Sequence, residues 1–213
     1  VRAIKRPAGG FTLIEAVVAL AVMAVLMAVG IPSLSTWNQG RKAAAAAAFY
    51  KEGFQLARAQ AVTHNSASRL VLTENSVSGQ MNWQVDICFP TPSTPCNEGS
   101  GSWSTTGAAA EADPDQTHGF RSVVRSADAL PATANLMLSV SPSGADAVYF
   151  TPLGWVDAGI SPRVERIDLA PALGRTGAFR PQAVVVTLAG TASICDPAVA
   201  AHDSRGCPPQ APK

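Results

Sequence analysis

The sequence predicts an α+β chain, a long N-terminal helix followed by an antiparallel β-sheet body. Three observations predict it. Between Phe11 and Asn65 there is a single proline, Pro32, and a block of alanines at 43–48, the residue of highest helix propensity. Beyond residue 65, short β-prone runs alternate with turn residues, and no helical period recurs that would make a strand–helix–strand unit. Finally, 213 residues of which 47% are hydrophobic and 15% charged suffice for a real core and carry too few charges for disorder.

The opening stretch carries Arg2, Lys5 and Arg6 and no acid. From Phe11 to Ile31 the chain is apolar except for Thr12 and Glu15. As a helix this run spans about 31 Å at 1.5 Å per residue, close to the roughly 30 Å hydrocarbon core of a bilayer. The basic cluster places the N-terminus in the cytoplasm and projects the remainder outward; Arg41 and Lys42 weaken that asymmetry without reversing it. Three readings share this layout. A secretory signal peptide would use Ala28-Val29-Gly30 as its small-residue cleavage site. A plain membrane anchor is the second. The third rests on Glu15, because a carboxylate at a bilayer centre costs about 2.5–3.5 kcal/mol and an acid inside an apolar run is therefore a functional candidate.

Gly10-Phe11-Thr12-Leu13-Ile14-Glu15 resembles the cleavage box of type IV prepilins and pseudopilins. The resemblance implies that a prepilin peptidase cuts between Gly10 and Phe11 on the cytoplasmic face and that Phe11 is then N-methylated. It also implies a helix bend at Pro32. Residues 1–10 become a leader peptide, 11–32 a transmembrane and filament-core helix, 33–65 its amphipathic continuation and 66–213 a periplasmic β-rich domain. Cleavage frees a cationic amine inside an apolar bundle. Glu15 of a neighbouring subunit is expected to pair with it, since either charge alone is stranded in low dielectric.

Tyr50, Phe54, Ala57 and Ala61 follow the spacing of one helix face, with Lys51, Glu52 and Arg58 mainly off it. The helix is expected to stop near His64-Asn65, because asparagine tolerates the left-handed stop conformation. Gly40 and Gly53 read as soft points that curve it. The segment Phe54–Val62 resembles the corresponding helix of the GspH/FimT group of minor pilins and pseudopilins. This implies a pilin-like fold and a structural subunit working with other minor pilins and the major pilin, first in the inner membrane and then in the pilus. A minor pseudopilin of type II secretion shares the same box and helix.

The strand candidates are Ser68–Thr73, Trp83–Phe89, Phe120–Ser126, Leu136–Val140, Val148–Thr151, Val164–Leu169, Ala183–Leu188 and Thr191–Cys195. Ala189-Gly190 reads as a tight hairpin and Pro142-Ser143-Gly144 as a second turn. One antiparallel sheet, or two packed together, with the helix laid on one face, accounts for this order. The Ser/Thr/Gly/Pro-rich stretch 90–119 is too polar for core, and a loop of that length is usually functional or mobile. Four cysteines allow three pairings. In an oxidising periplasm the local ones, Cys88–Cys96 and Cys195–Cys207, are expected. The segment Cys195–Cys207 resembles the closing loop of FimU-like minor pilins.

Catalytic and cofactor signals are missing. His64, His118 and His202 form no metal-ligand spacing, and no cysteine pair is CxxC. Asp113-Pro114-Asp115 lacks the alternating ligands of a calcium loop and reads as a solvated acidic turn. No cofactor, metal or enzymatic activity is expected. Net charge is +1, and falls to −2 once the three basic leader residues are removed. Relatives that take up DNA carry a Gly-Arg-x-Arg-like turn where this chain has Gly190-Thr191-Ala192-Ser193. Arg175, Arg180 and Arg205 remain, but no nucleic-acid partner is expected.

Overall fold

The structure, a computed structural model, describes residues 10–115 and 117–208. Residues 1–9 of the expected leader, 1–10, lie outside them, as does the side chain of Pro32, expected at a bend. Among the described residues one helix, α1 (Leu13–His64), precedes eight strands. These are β1 (Ala67–Glu74), β2 (Met81–Cys88), β3 (Val123–Arg125), β4 (Leu136–Ser141), β5 (Ala147–Phe150), β6 (Arg166–Pro171), β7 (Gln182–Val186) and β8 (Ala192–Cys195). Each overlaps one of the eight runs read from the sequence. The run from Phe120 contributes only three residues, because its flanks are drawn into loop hydrogen bonds such as Ser122 N–H to Thr105 C=O.

Both ends of α1 are written locally. At the start, the Thr12 hydroxyl accepts the Glu15 N–H at 3.3 Å, which places Thr12 at the N-cap and Glu15 at the third helical position. At the other end Asn65 adopts φ +46° and Ser66 N–H reaches back to Ala61 C=O at 3.0 Å, the wide closing bond of a left-handed helix stop.

Residues to Asn38 and from Gln39 onward form two compact units. In the first, Phe11, Leu13, Ile14, Val17, Val18, Leu20, Leu26 and Trp37 each expose more than half their surface. A helix apolar on every side needs a cover of lipid or of like helices. Among the described residues no helix is long and apolar enough to cross a membrane; the side chains at 29 and 31–33, inside the apolar run, lie outside that description.

The second unit holds the core. Its two antiparallel sheets have strand orders β3-β2-β1-β5 and β4-β6-β7-β8. The turn at Pro142–Gly144, with Gly144 at φ +84°, passes the chain from β4 in the second to β5 in the first. One continuous cluster joins Ala43, Ala46, Ala47, Tyr50, Phe54, Ala57 and Ala61 of α1 to Leu70, Trp83, Val85 and Phe150 of the first sheet and Ile167, Leu169 and Val184 of the second. Hydrogen bonds fix the helix on the first sheet. Trp83 indole N–H donates to Phe49 C=O at 2.9 Å, and Ser68 O–H to Ala57 C=O at 2.6 Å. Tyr50 O–H donates to Met81 C=O and accepts Met81 N–H.

Burial raises the Tyr50 phenol above its ordinary range. A raised native pKa favours the neutral form, so this contribution to stability is intact below about pH 10 and is lost as pH rises beyond the unfolded value. Denaturant titrations at pH 8 and 11 are expected to show an alkaline loss that Tyr50→Phe reduces.

Gly53 has a packing role. A Cβ there would stand 2.6 Å from Leu70 Cδ1 and 3.0 Å from the Trp83 ring. The glycine lets α1 approach β1 and β2 closely. Gly53→Ala gains about 1 kcal/mol of helix propensity but overpacks the seam by about 1–3 kcal/mol. The net result expected in thermal denaturation is a lower midpoint.

Described residues of the 90–119 stretch pack over the first sheet, and some of them are core. Ser104 and Ala110 are buried. Ser104 N–H donates to Ile87 C=O while its hydroxyl accepts Ile87 N–H. The Trp103 ring stacks on Arg69, whose Cζ lies 4.3 Å from its centroid. Beneath them Arg69 Nε–H donates to Asp86 at 2.8 Å, and the Asp86 side chain is wholly buried. Asp113 is likewise not a solvated turn residue. It is buried, and its carboxylate accepts the N–H groups of Asp115 and Phe120.

Candidate functional site: the start of the helix and its uncovered face

Gly10, Phe11 and Glu15 are all exposed. Phe11 is 82% accessible, directly ahead of the Thr12 cap. Glu15 lies in the first turn, where a negative charge is favoured by the helix dipole. Among the described residues no cation pairs with it. The arrangement is an exposed Gly10-Phe11 pair, then a capped helix, then an acid on an otherwise apolar rod. The Thr12–Glu15 cap was not read from the sequence, although its Thr-x-x-Glu spacing is the usual capping-box signal.

The cysteines join as Cys88–Cys96, with S–S 2.04 Å, and Cys195–Cys207, with S–S 2.08 Å. The first ties the end of β2 to the loop carrying Trp103. The second closes the C-terminal segment, where Asp196 N–H donates to Arg205 C=O and Arg205 pairs with Asp203 at 2.9 Å. That guanidinium holds the Asp203 carboxyl below the usual carboxylate range. Of the three arginines considered for a basic patch, Arg205 is thus engaged by an acid. Among the described residues no group of three or more His, Cys, Asp or Glu side chains forms a metal cluster. The turn before β8 is narrow: a Cβ on Gly190, which sits at φ +76°, would strike the Gly154 carbonyl.

Comparison with known families bears on both halves of this description. Residues 5–31 match the prokaryotic N-terminal methylation motif. Residues 46–190 match the family of type II transport protein GspH. The chain belongs to the GspH family. No curated protein and no solved structure matches it.

The GspH match begins inside the alanine block and ends at Gly190. It therefore takes in the buried helix stripe from Ala46 onward, both sheets as far as β7 and the described residues packed over the first sheet. β8 and the Cys195–Cys207 loop lie beyond it. For a GspH-family chain the α+β architecture follows, as does a structural, pilin-type role in a type IV pilus or a type II secretion system. The Arg69–Asp86 pair and its Trp103 cover, by contrast, escaped the sequence reading. Alternation in 67–74 marks Arg69 as outward, and nothing local reveals that a loop more than thirty residues away folds over it.

Proposed function

We propose that this chain is a minor pilin of a type IV pilus, made as a prepilin, cleaved between Gly10 and Phe11 by a prepilin peptidase and N-methylated at Phe11. It enters the inner membrane with its N-terminus cytoplasmic and its body periplasmic, then passes into a priming or tip complex with other minor pilins and the major pilin. It is a structural subunit and not an enzyme. The observation that carries this is the uncovered apolar helix behind a Gly-Phe-Thr-Leu-Ile-Glu box, with Phe11 and Glu15 both accessible. Such a rod leaves lipid for a bundle of like helices only if packing and polar pairing favour the bundle, since lipid tails are equally apolar. Glu15 meeting the Phe11 amine of a neighbour supplies that preference. Two disulfides in a body facing the periplasm support the pilus over the secretion system.

The family's description as a type II transport protein favours a second reading, a minor pseudopilin of type II secretion. Mass spectrometry of the purified N-terminus tests the shared part: methyl-phenylalanine at position 11 is expected, and a start near Ile31 returns the segment to a signal peptide. A deletion strain separates the two systems, losing twitching in one case and secretion in the other.

A further inference from the structure

The β1–β2 turn is built more firmly than a solvent loop requires. Asn75, 5% exposed, donates its two Nδ2 hydrogens to Asn82 and Asp128, with Ser126 Oγ 3.2 Å from the same nitrogen, and accepts through Oδ1 from Val77 N–H, Ser78 N–H and the Ser78 hydroxyl. This rigid frame holds Val77 out in water, 74% exposed. Glu74 and Asp128, both exposed, flank it. Hydrogen bonds from Asn75 and Ser126 keep the Asp128 carboxyl below its ordinary range and so charged. No lysine or arginine occurs in residues 70–80 or 126–136. The tip is a preorganised apolar knob with negative shoulders.

At the other end of the body lies a groove of about 600 Å³ between α1 and the β7–β8 turn, with Arg58, Ala59, Val62, Gly190, Thr191 and Ala192 among its walls. Arg58 is the one charged residue lining it, and its Nε–H donates to Gly154 C=O at 3.1 Å. That bond, and Val156 N–H to Leu188 C=O, bring the 151–156 turn to the rim. Leu153 and Trp155, 74% and 61% exposed, flank Gly154, and Val62 in the groove wall is 53% exposed. Exposed apolar side chains on adjoining segments are the composition of an interaction surface. The groove sits where α1 hands over to β1, and the tip sits about 23 Å away at the far end of β1.

We propose that the β1–β2 tip of one subunit seats in this groove on a second copy of the chain, Val77 among the apolar rim residues and the Glu74 and Asp128 carboxylates toward Arg58. Knob and hole lie at opposite ends of one body, so the contact is heterologous: it leaves a free knob and a free groove on every pair and propagates into a row. This goes beyond the N-terminal assembly reading, and cleavage after Gly10, measured by mass spectrometry on the same samples, reports that reading separately.

The test uses the full-length chain in detergent with a photo-crosslinking amino acid at position 59, an exposed residue of the groove wall. The expected product is a ladder of dimer and higher species, its adducts mapping to residues 74–79. Val77→Asp in the probe-bearing chain, an exposed change that leaves the fold intact, is expected to cut adducts at least tenfold. Mixing that chain with a differently tagged Trp155→Asp chain supplies one intact knob to one intact groove. Tagged heterodimers are then expected, with nothing larger. Adducts that survive Val77→Asp, map outside the tip, join a different protein, or fail to return in the mixture would overturn the proposal.

Discussion

Glu15→Ala is expected to lower incorporation of the mature subunit into filaments about 100-fold or more, while membrane insertion and cleavage after Gly10 continue. The magnitude follows from leaving the Phe11 amine of a neighbour unpaired in an apolar bundle, a loss of about 3–5 kcal/mol for a broken buried pair. The structure adds a competing local role, because Glu15 is also the third residue of a helix capped by Thr12. Glu15→Gln separates the two. Glutamine serves at that capping position as glutamate does, but carries no charge to meet an amine. Sheared-filament and membrane fractions, compared by immunoblot, are expected to show Gln as defective as Ala. Recovery of incorporation by Gln would assign Glu15 to the cap and remove the pairing mechanism.

Arg69→Ala carries the largest expected effect on the body, a loss of about 3–5 kcal/mol, because the wholly buried Asp86 carboxylate is left without its cation. Gln84, donating to Asp86 at 2.6 Å, compensates only a fraction of that loss. The Trp103 ring also loses the guanidinium it covers, so its emission is expected to shift red before global unfolding. Arg69→Lys keeps the charge without the planar stack and is expected to fall between. Urea denaturation followed by fluorescence is the measurement; a loss under about 1 kcal/mol for Arg69→Ala, the scale of a surface pair, would show that Asp86 finds water or another partner.

The strands and the helix stripe were legible because apolar burial repeats at fixed periods. Tyr50, Phe54, Ala57 and Ala61 are spaced for one face and all are buried. Leu70 and Leu72 alternate with Arg69 and Val71 in the same way. Asn65 announced the helix stop through its residue type. Residues 90–119 were illegible for the opposite reason. Their order comes from side chains bonding to distant backbone, as Asp113 does to Phe120 and Ser104 to Ile87, and composition does not encode such partners. The packing role of Gly53 was missed because flexibility and close approach place the same letter in a sequence. At the helix start, the box Gly10–Glu15 is legible as chemistry, while its neighbours in an assembly belong to other chains.

The alanine run 43–48 repeats one letter six times, yet Ala43, Ala46 and Ala47 are sealed between helix and sheets while Ala44, Ala45 and Ala48 face outward. A saturation mutagenesis library should therefore divide this homopolymer into two sharply different tolerance classes, three positions refusing anything bulkier and three accepting nearly any side chain. Codon-level drift in natural variants is expected to follow the same three-and-three partition, which makes a stretch that looks like low complexity one of the more strictly spelled parts of the chain.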